Sequence, residues 1–235
     1  MIAVVFGSSG DIGRALAEGL IASGKYALIY AVSRSGAQIA GAVNRQAEFT
    51  DEAELAPLAA EIGAAGPVKL CLVASGLLSD TDLQPEKTYR AMTSNAFQRV
   101  FAANTIAPAL IAKHMLPLMP KAERSVFAAL SARVGSISDN RLGGWHAYRA
   151  SKAALNMLLR NFAIEQSRRA PESICVGLHP GTVDTGLSKA FQGGVAEGKL
   201  FTPAQAAGYL LDVIDGLTPE DSGKCFDWTG EEVPA

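Results

Sequence analysis

Met1-Ile2-Ala3-Val4-Val5-Phe6-Gly7-Ser8-Ser9-Gly10-Asp11-Ile12-Gly13 is the stretch whose reading decides the fold. Ile2 to Phe6 is apolar at every position, which marks a strand covered on both faces, as in a parallel sheet between layers of helices. Glycines follow at once, and Ile12, Ala15, Leu16 and Leu20 then recur at helical spacing until Gly24 closes the helix. A buried strand, a glycine turn and a helix in that order make the opening half of a strand–helix–strand unit.

The same alternation continues along the chain. Residues 26–33, 43–49, 68–74, 125–130, 173–178 and 224–226 read as strands. Residues 52–65, 146–168 and 203–217 read as helices, and 88–119 as one long helix with Pro108 near its middle as the place for a kink. No repeat, linker or low-complexity tract interrupts the series. The pattern predicts a single α/β domain over residues 1–235, a Rossmann-type doubly wound parallel sheet flanked by helices.

Composition excludes several function classes. Of 235 residues 49% are hydrophobic and 19% charged, which supplies a large core and excludes a disordered chain. A formal net charge of -2 argues against nucleic acid or an anionic membrane as the main partner. Cys71, Cys175 and Cys225 are odd in number and widely spaced, so neither a disulfide framework nor a metal site is expected; reduced thiols in a cytoplasmic protein are. No apolar run is long enough to span a bilayer, and Met1 to Phe6 lacks the basic lead of a signal segment.

The glycine turn suits a pyrophosphate. Glycines let backbone N–H groups approach phosphate oxygens, and the helix N-terminus favours negative charge. No Lys followed by Ser or Thr closes the loop, so a P-loop is disfavoured. Strand two ends in Ser33-Arg34-Ser35, where an acidic residue would hold a ribose 2′-hydroxyl and a basic one accommodates a 2′-phosphate. Arg34 has the planar fork suited to phosphate, so the reading is NADP(H) in preference to NAD(H). Tyr148 and Lys152 lie four apart, on one helical face. A phenol is a poor acid–base group near neutrality, and a neighbouring ammonium brings it toward the working range.

Together these motifs resemble those of the short-chain dehydrogenase/reductase family over nearly the whole chain. The glycine turn is similar to TGxxxGxG, Tyr148-x-x-x-Lys152 to YxxxK, and Pro180-Gly181-Thr182-Val183-Asp184-Thr185 to PGxVxT. More narrowly, Ser131-Ala132-Arg133-Val134-Gly135-Ser136-Ile137 resembles the C-factor and Sniffer-type carbonyl reductases. The resemblance implies hydride transfer between a carbonyl or alcohol and the nicotinamide. Tyr148 would be the acid/base, Lys152 its partner and ribose ligand, and Asn104 the holder of a relay water. It also implies a cofactor wall of Gly7, Ser9, Gly10, Asp11, Ile12, Ser33, Arg34, Phe49, Ala74, Gly76, Tyr148, Lys152, Pro180, Gly181, Val183 and Thr185.

Three departures stand out. Gly10 is followed by Asp11 rather than Gly, with Asp11 a candidate helix cap. Asn-Ala-Gly after strand four reads Ala74-Ser75-Gly76. The family's Ser-x-x-Gly puts Ala132, with no hydroxyl, where a serine belongs, leaving Ser131 (favoured, at the better-held strand end) and Ser136 as candidates for the carbonyl hydrogen bond. Residues 186–198, with Leu187 and Phe191, are expected to form a lid over a small-molecule substrate. Trp145 and His146 are candidates for the pocket mouth. Apolar residues on more than one helix face, such as Ile106, Leu110 and Ile111, together with the family likeness, predict a homodimer or homotetramer. A dinucleotide-binding regulator with little turnover is the alternative function.

Overall fold

Ile2–Phe6 forms β1, buried at all five positions, and Asp11–Ser23 forms α1, closed by Gly24 in the left-handed conformation (φ 63°). The computed structural model describes residues 1–194, 196 and 198–235. The chain continues through β2 (Leu28–Ser33), β3 (Val43–Gln46), α2 (Glu52–Ala65), β4 (Val68–Val73), α3 (Ser94–Phe101), α4 (Ala107–Met115) and β5 (Ser125–Leu130). Next come α5 (His146–Gln166), β6 (Ser173–His179), β7 (Thr182–Val183), β8 (Leu200–Phe201), α6 (Pro203–Gly216) and β9 (Cys225–Asp227). Seven strands make one parallel sheet in the order β3-β2-β1-β4-β5-β6-β9, with β7 and β8 pairing separately.

The sheet has a core on each face. Phe6, Ile62, Ile111, Met115, Phe127 and Leu155 join the side covered by α2, α4 and α5. Val5, Leu16, Leu20, Leu72, Val176, Leu210 and Ile214 join the side covered by α1 and α6. Strand order reverses between β1 and β4, and ligands of such sheets bind in the crevice beyond the strand C-termini at that point. The glycine turn, residues 74–76, Ser131 and Pro180 all follow those strand ends.

The expected long helix over 88–119 is broken. A single 3₁₀ turn at Tyr89–Ala91 precedes α3, a π-helical turn at Ala102–Ile106 separates α3 from α4, and a second 3₁₀ turn at Leu116–Leu118 ends the series. Pro108 has no N–H to offer the carbonyl of Asn104 four residues before it, and the helix widens there instead, with Ala107 N–H bonding to Ala102. Strands two and three are shorter than expected, and the pairing of β7 with β8 has no counterpart in the sequence reading. The expected lid over 186–198 contains residues 195 and 197 and the side chain of residue 191, which lie outside the described residues. No helix among the described residues is long and apolar enough to cross a membrane.

Candidate active site

The glycine turn is built by lack of space. Gly7 has φ 87°, and a Cβ there would stand 2.7 Å from the Ser75 nitrogen. A Cβ on Gly13 would meet the Gly7 carbonyl oxygen at 2.2 Å. Gly10 caps α1 with no side-chain bond, so Asp11 is the first helical residue and not the expected cap. Gly181 (φ 75°) is equally confined, since its Cβ would lie 2.7 Å from the Phe201 ring.

Two cavities flank residues 75 and 76. One, about 380 Å³, is lined by Arg34, Phe49, Thr50, Ser75, Gly76 and Arg99 among others. The second, about 290 Å³, is lined by Gly10, Asp11, Ile12, Ala74, Ser75, Gly76, Ser131, Tyr148, Lys152, Pro180, Thr185 and Leu187. Arg99 is paired with Asp80, whereas the exposed Arg34 guanidinium has no partner among the described residues. The Ser8 and Ser75 hydroxyls are buried with no hydrogen-bond partner. Orphaned hydroxyls beside a glycine cradle fit a dinucleotide, one cavity for each half. The Ser33 hydroxyl accepts the Ala37 N–H, Ser9 is exposed, and Val183 is buried against Phe201.

α5 brings Tyr148 and Lys152 to the second cavity. Lys152 is buried, donates to the Leu130 carbonyl at 2.7 Å, and its Nζ lies 5.7 Å from the Tyr148 ring centre. The expected lowering of the phenol by the ammonium is not what the structure gives: burial pushes the Tyr148 phenol up to about 12 and the Lys152 amine down to about 8. Asn104 is fully buried in the π turn. Its Oδ1 accepts the Leu77 N–H at 2.7 Å, and its Nδ2 donates to the Leu77 carbonyl and the Ser151 hydroxyl. A Cβ on Gly76 would lie 3.5 Å from Asn104 Oδ1 and 3.8 Å from Lys152 Nζ, so the three residues converge.

The two candidate serines part company. Ser131, 4% exposed, lines the Tyr148 cavity and donates to Asn156 Oδ1 at 2.7 Å. Ser136 is buried and accepts the Asp139 N–H. No hydrogen bond joins either to Tyr148 among the described residues. Trp145 sets its ring edge-on to Tyr148, with centres 6.3 Å apart. Two residues with no local sequence signal also reach this region: Asn156, one helical turn beyond Lys152, and Glu86, which bonds to the start of α5 across 61 positions. Among the described residues no group of His, Cys, Asp and Glu gathers to hold a metal.

The short chain dehydrogenase family model matches residues 1–194. The chain belongs to that family. It is an oxidoreductase of the short-chain dehydrogenase/reductase type, and its relatives are varied. It is 39% identical over 136 residues to C-signal of Myxococcus xanthus, covering 58% of this chain and 76% of that one. It is 40% identical over 127 residues to 1-hydroxy-2-glutathionyl-2-methyl-3-butene dehydrogenase of Rhodococcus sp. (strain AD45), covering 54% of this chain and 53%, about half, of the relative. Among solved structures, an NADPH-bound carbonyl reductase from chicken fatty liver superposes with a TM-score of 0.86 at 27% identity, covering 99% of this chain and 98% of that one.

Proposed function

We propose that this chain reduces the carbonyl of a small molecule with NADPH, Tyr148 giving the proton. The observation that carries the reading is one cavity shared by Tyr148, Lys152, residues 10–13 of the glycine turn, Pro180 and Thr185. The bound nicotinamide would supply hydride to the carbonyl carbon. Tyr148, its phenol held protonated by burial, gives its proton to the carbonyl oxygen, which suits reduction better than alcohol oxidation. Lys152 remains cationic below about 8 and offers charge to the phenolate left behind. Asn104 fixes the loop at Leu77 beside Lys152, where a relay water would return the proton. Ser131, the candidate serine that lines the cavity, turns its hydroxyl from Asn156 to the carbonyl oxygen.

NADPH is favoured over NADH by the unpartnered Arg34 guanidinium at the first cavity. The NADPH-bound chicken liver reductase, similar over the whole chain, supports the same choice. The likeness to C-signal supports a second reading, a dinucleotide-binding regulator with little turnover. The two part in one assay, NADPH oxidation with a panel of aldehydes, ketones and quinones. Turnover on one of these classes supports the enzyme; tight NADPH binding with no turnover on any supports the regulator. A homodimer or homotetramer completes the proposal.

A further inference from the structure

We propose that Glu86 is a positioning residue for Tyr148, a claim that rests on the acid–base reading above. Its carboxylate and its own carbonyl together hold the start of the helix that carries the tyrosine. α5 begins abnormally. Trp145, the residue before it, has φ 51° and ψ 44° and is the sole described non-glycine residue with positive φ. Gly143 and Gly144 before it share the left-handed region, at φ 63° and 67°. A bulky side chain there is strained and persists only where its surroundings fix it.

The helix also lacks a cap of its own. Trp145 makes no side-chain cap bond, and the first turn carries no acidic residue. The opening N–H groups of a helix need acceptors from somewhere. Glu86, from the segment after β4, supplies two. Its carbonyl oxygen accepts the Trp145 N–H at 2.5 Å, and its Oε2 accepts the Ala147 N–H at 3.3 Å. These bonds bracket the strained residue on either side.

Glu86 is 5% exposed, no Lys or Arg pairs with it among the described residues, and its Oε1 is buried with no partner. A buried carboxylate without a cation is costly, and the positive end of a helix is the feature here that favours it. Tyr148 is the next residue after Ala147, and its ring rests edge-on against Trp145. A shift of the helix start therefore moves the phenol directly.

The test separates the acceptor from the bulk of the side chain. Glu86→Gln keeps an oxygen that can accept from Ala147, while Glu86→Leu has similar size and none. We expect Glu86→Gln to keep kcat within about three-fold, while Glu86→Leu loses at least about ten-fold, because a misplaced proton donor slows the chemical step. KM for the carbonyl and Kd for NADPH should stay within about two-fold in both, with rates taken per NADPH-binding site. Equal kcat in the two variants, or NADPH binding lost in step with kcat, would overturn the proposal. Should Glu86→Leu fail to fold, Glu86→Asp, whose carboxylate is one methylene shorter and draws back from an already long 3.3 Å contact with Ala147, is expected to show the same loss in kcat alone; an unchanged kcat there overturns the proposal too. Tyr148→Phe is run beside them. If it stays active, the acid–base reading falls and takes this inference with it; if it is inactive while Glu86→Leu is normal, only the role of Glu86 falls.

Discussion

Gly13 has no room for a methyl group, because the carbonyl oxygen of Gly7 would stand 2.2 Å from it and the obstacle is backbone. Gly13→Ala must displace the turn, and overpacking of this kind costs about 1–3 kcal/mol. NADPH affinity, measured by fluorescence titration, is expected to fall by more than about ten-fold if the turn is the pyrophosphate cradle we propose. Arg34→Ala should erase a preference for NADPH over NADH of roughly ten- to a hundred-fold, the worth of one charge-assisted hydrogen bond, and leave NADH binding intact. An unchanged ratio would place the guanidinium elsewhere. Ser131→Ala should lose on the order of a hundred-fold in kcat with cofactor affinity preserved, and Ser136→Ala less than about ten-fold. The pH dependence follows from Lys152. Burial lowers its amine to about 8, so the cation is lost as pH rises through that value, while the phenol stays protonated to about 12. Reductive kcat should be level below pH 8 and decline above it. The glycines, Arg34, Tyr148 and Lys152 can be proposed from the sequence because each belongs to a short motif whose spacing has a mechanical reason, and the structure places Tyr148, Lys152 and Gly10 at one cavity. Glu86 cannot be proposed in this way, since its partner lies 61 positions away and no local pattern announces that contact.

At the scale of elements, the interruption at Ala102–Ile106 is what brings Asn104 to the site. The sequence predicts one helix over 88–119 with Pro108 as the place for a kink. A proline predicts where a ladder fails, but whether the chain bends, tightens or widens is decided by what packs against it. Here Asn104 ties the π turn to Leu77 and Ser151 through three hydrogen bonds. Asn104→Ala strands the part-buried Leu77 N–H and carbonyl, which should lower stability by about 1 kcal/mol in urea unfolding. A variant as stable as the parent would show those groups finding other partners. Most strand and helix positions, by contrast, followed from apolar runs and from Gly or Pro at their ends, and β1, α2 and β5 have the bounds expected. The pairing of β7 with β8 escaped because two-residue strands have no periodicity to detect.

Across the whole molecule, the sheet order puts most candidate site residues just beyond the strand C-termini or on the helices beside them, while Ser33 is the last residue of β2 and Val183 lies in the separate β7–β8 pair. The apolar helix residues expected to mark an oligomer interface are not all on the surface. Ile111 is fully buried in the core and Leu110 partly, so neither marks an interface, whereas Ile106 at 48% and Met157 at 62% exposure remain on the outside of the helices. Light scattering at micromolar concentration should give a dimer or tetramer, and a monomer would remove that part of the account. The central claim is that Tyr148 supplies the proton in an NADPH-dependent reduction. Its most direct test is the single-turnover rate of NADPH oxidation in Tyr148→Phe, with NADPH and carbonyl both saturating. Losing the acid should slow that step by about 10²–10⁴-fold while NADPH still binds with its original affinity. A Tyr148→Phe protein that oxidises NADPH at the parent rate would contradict the claim.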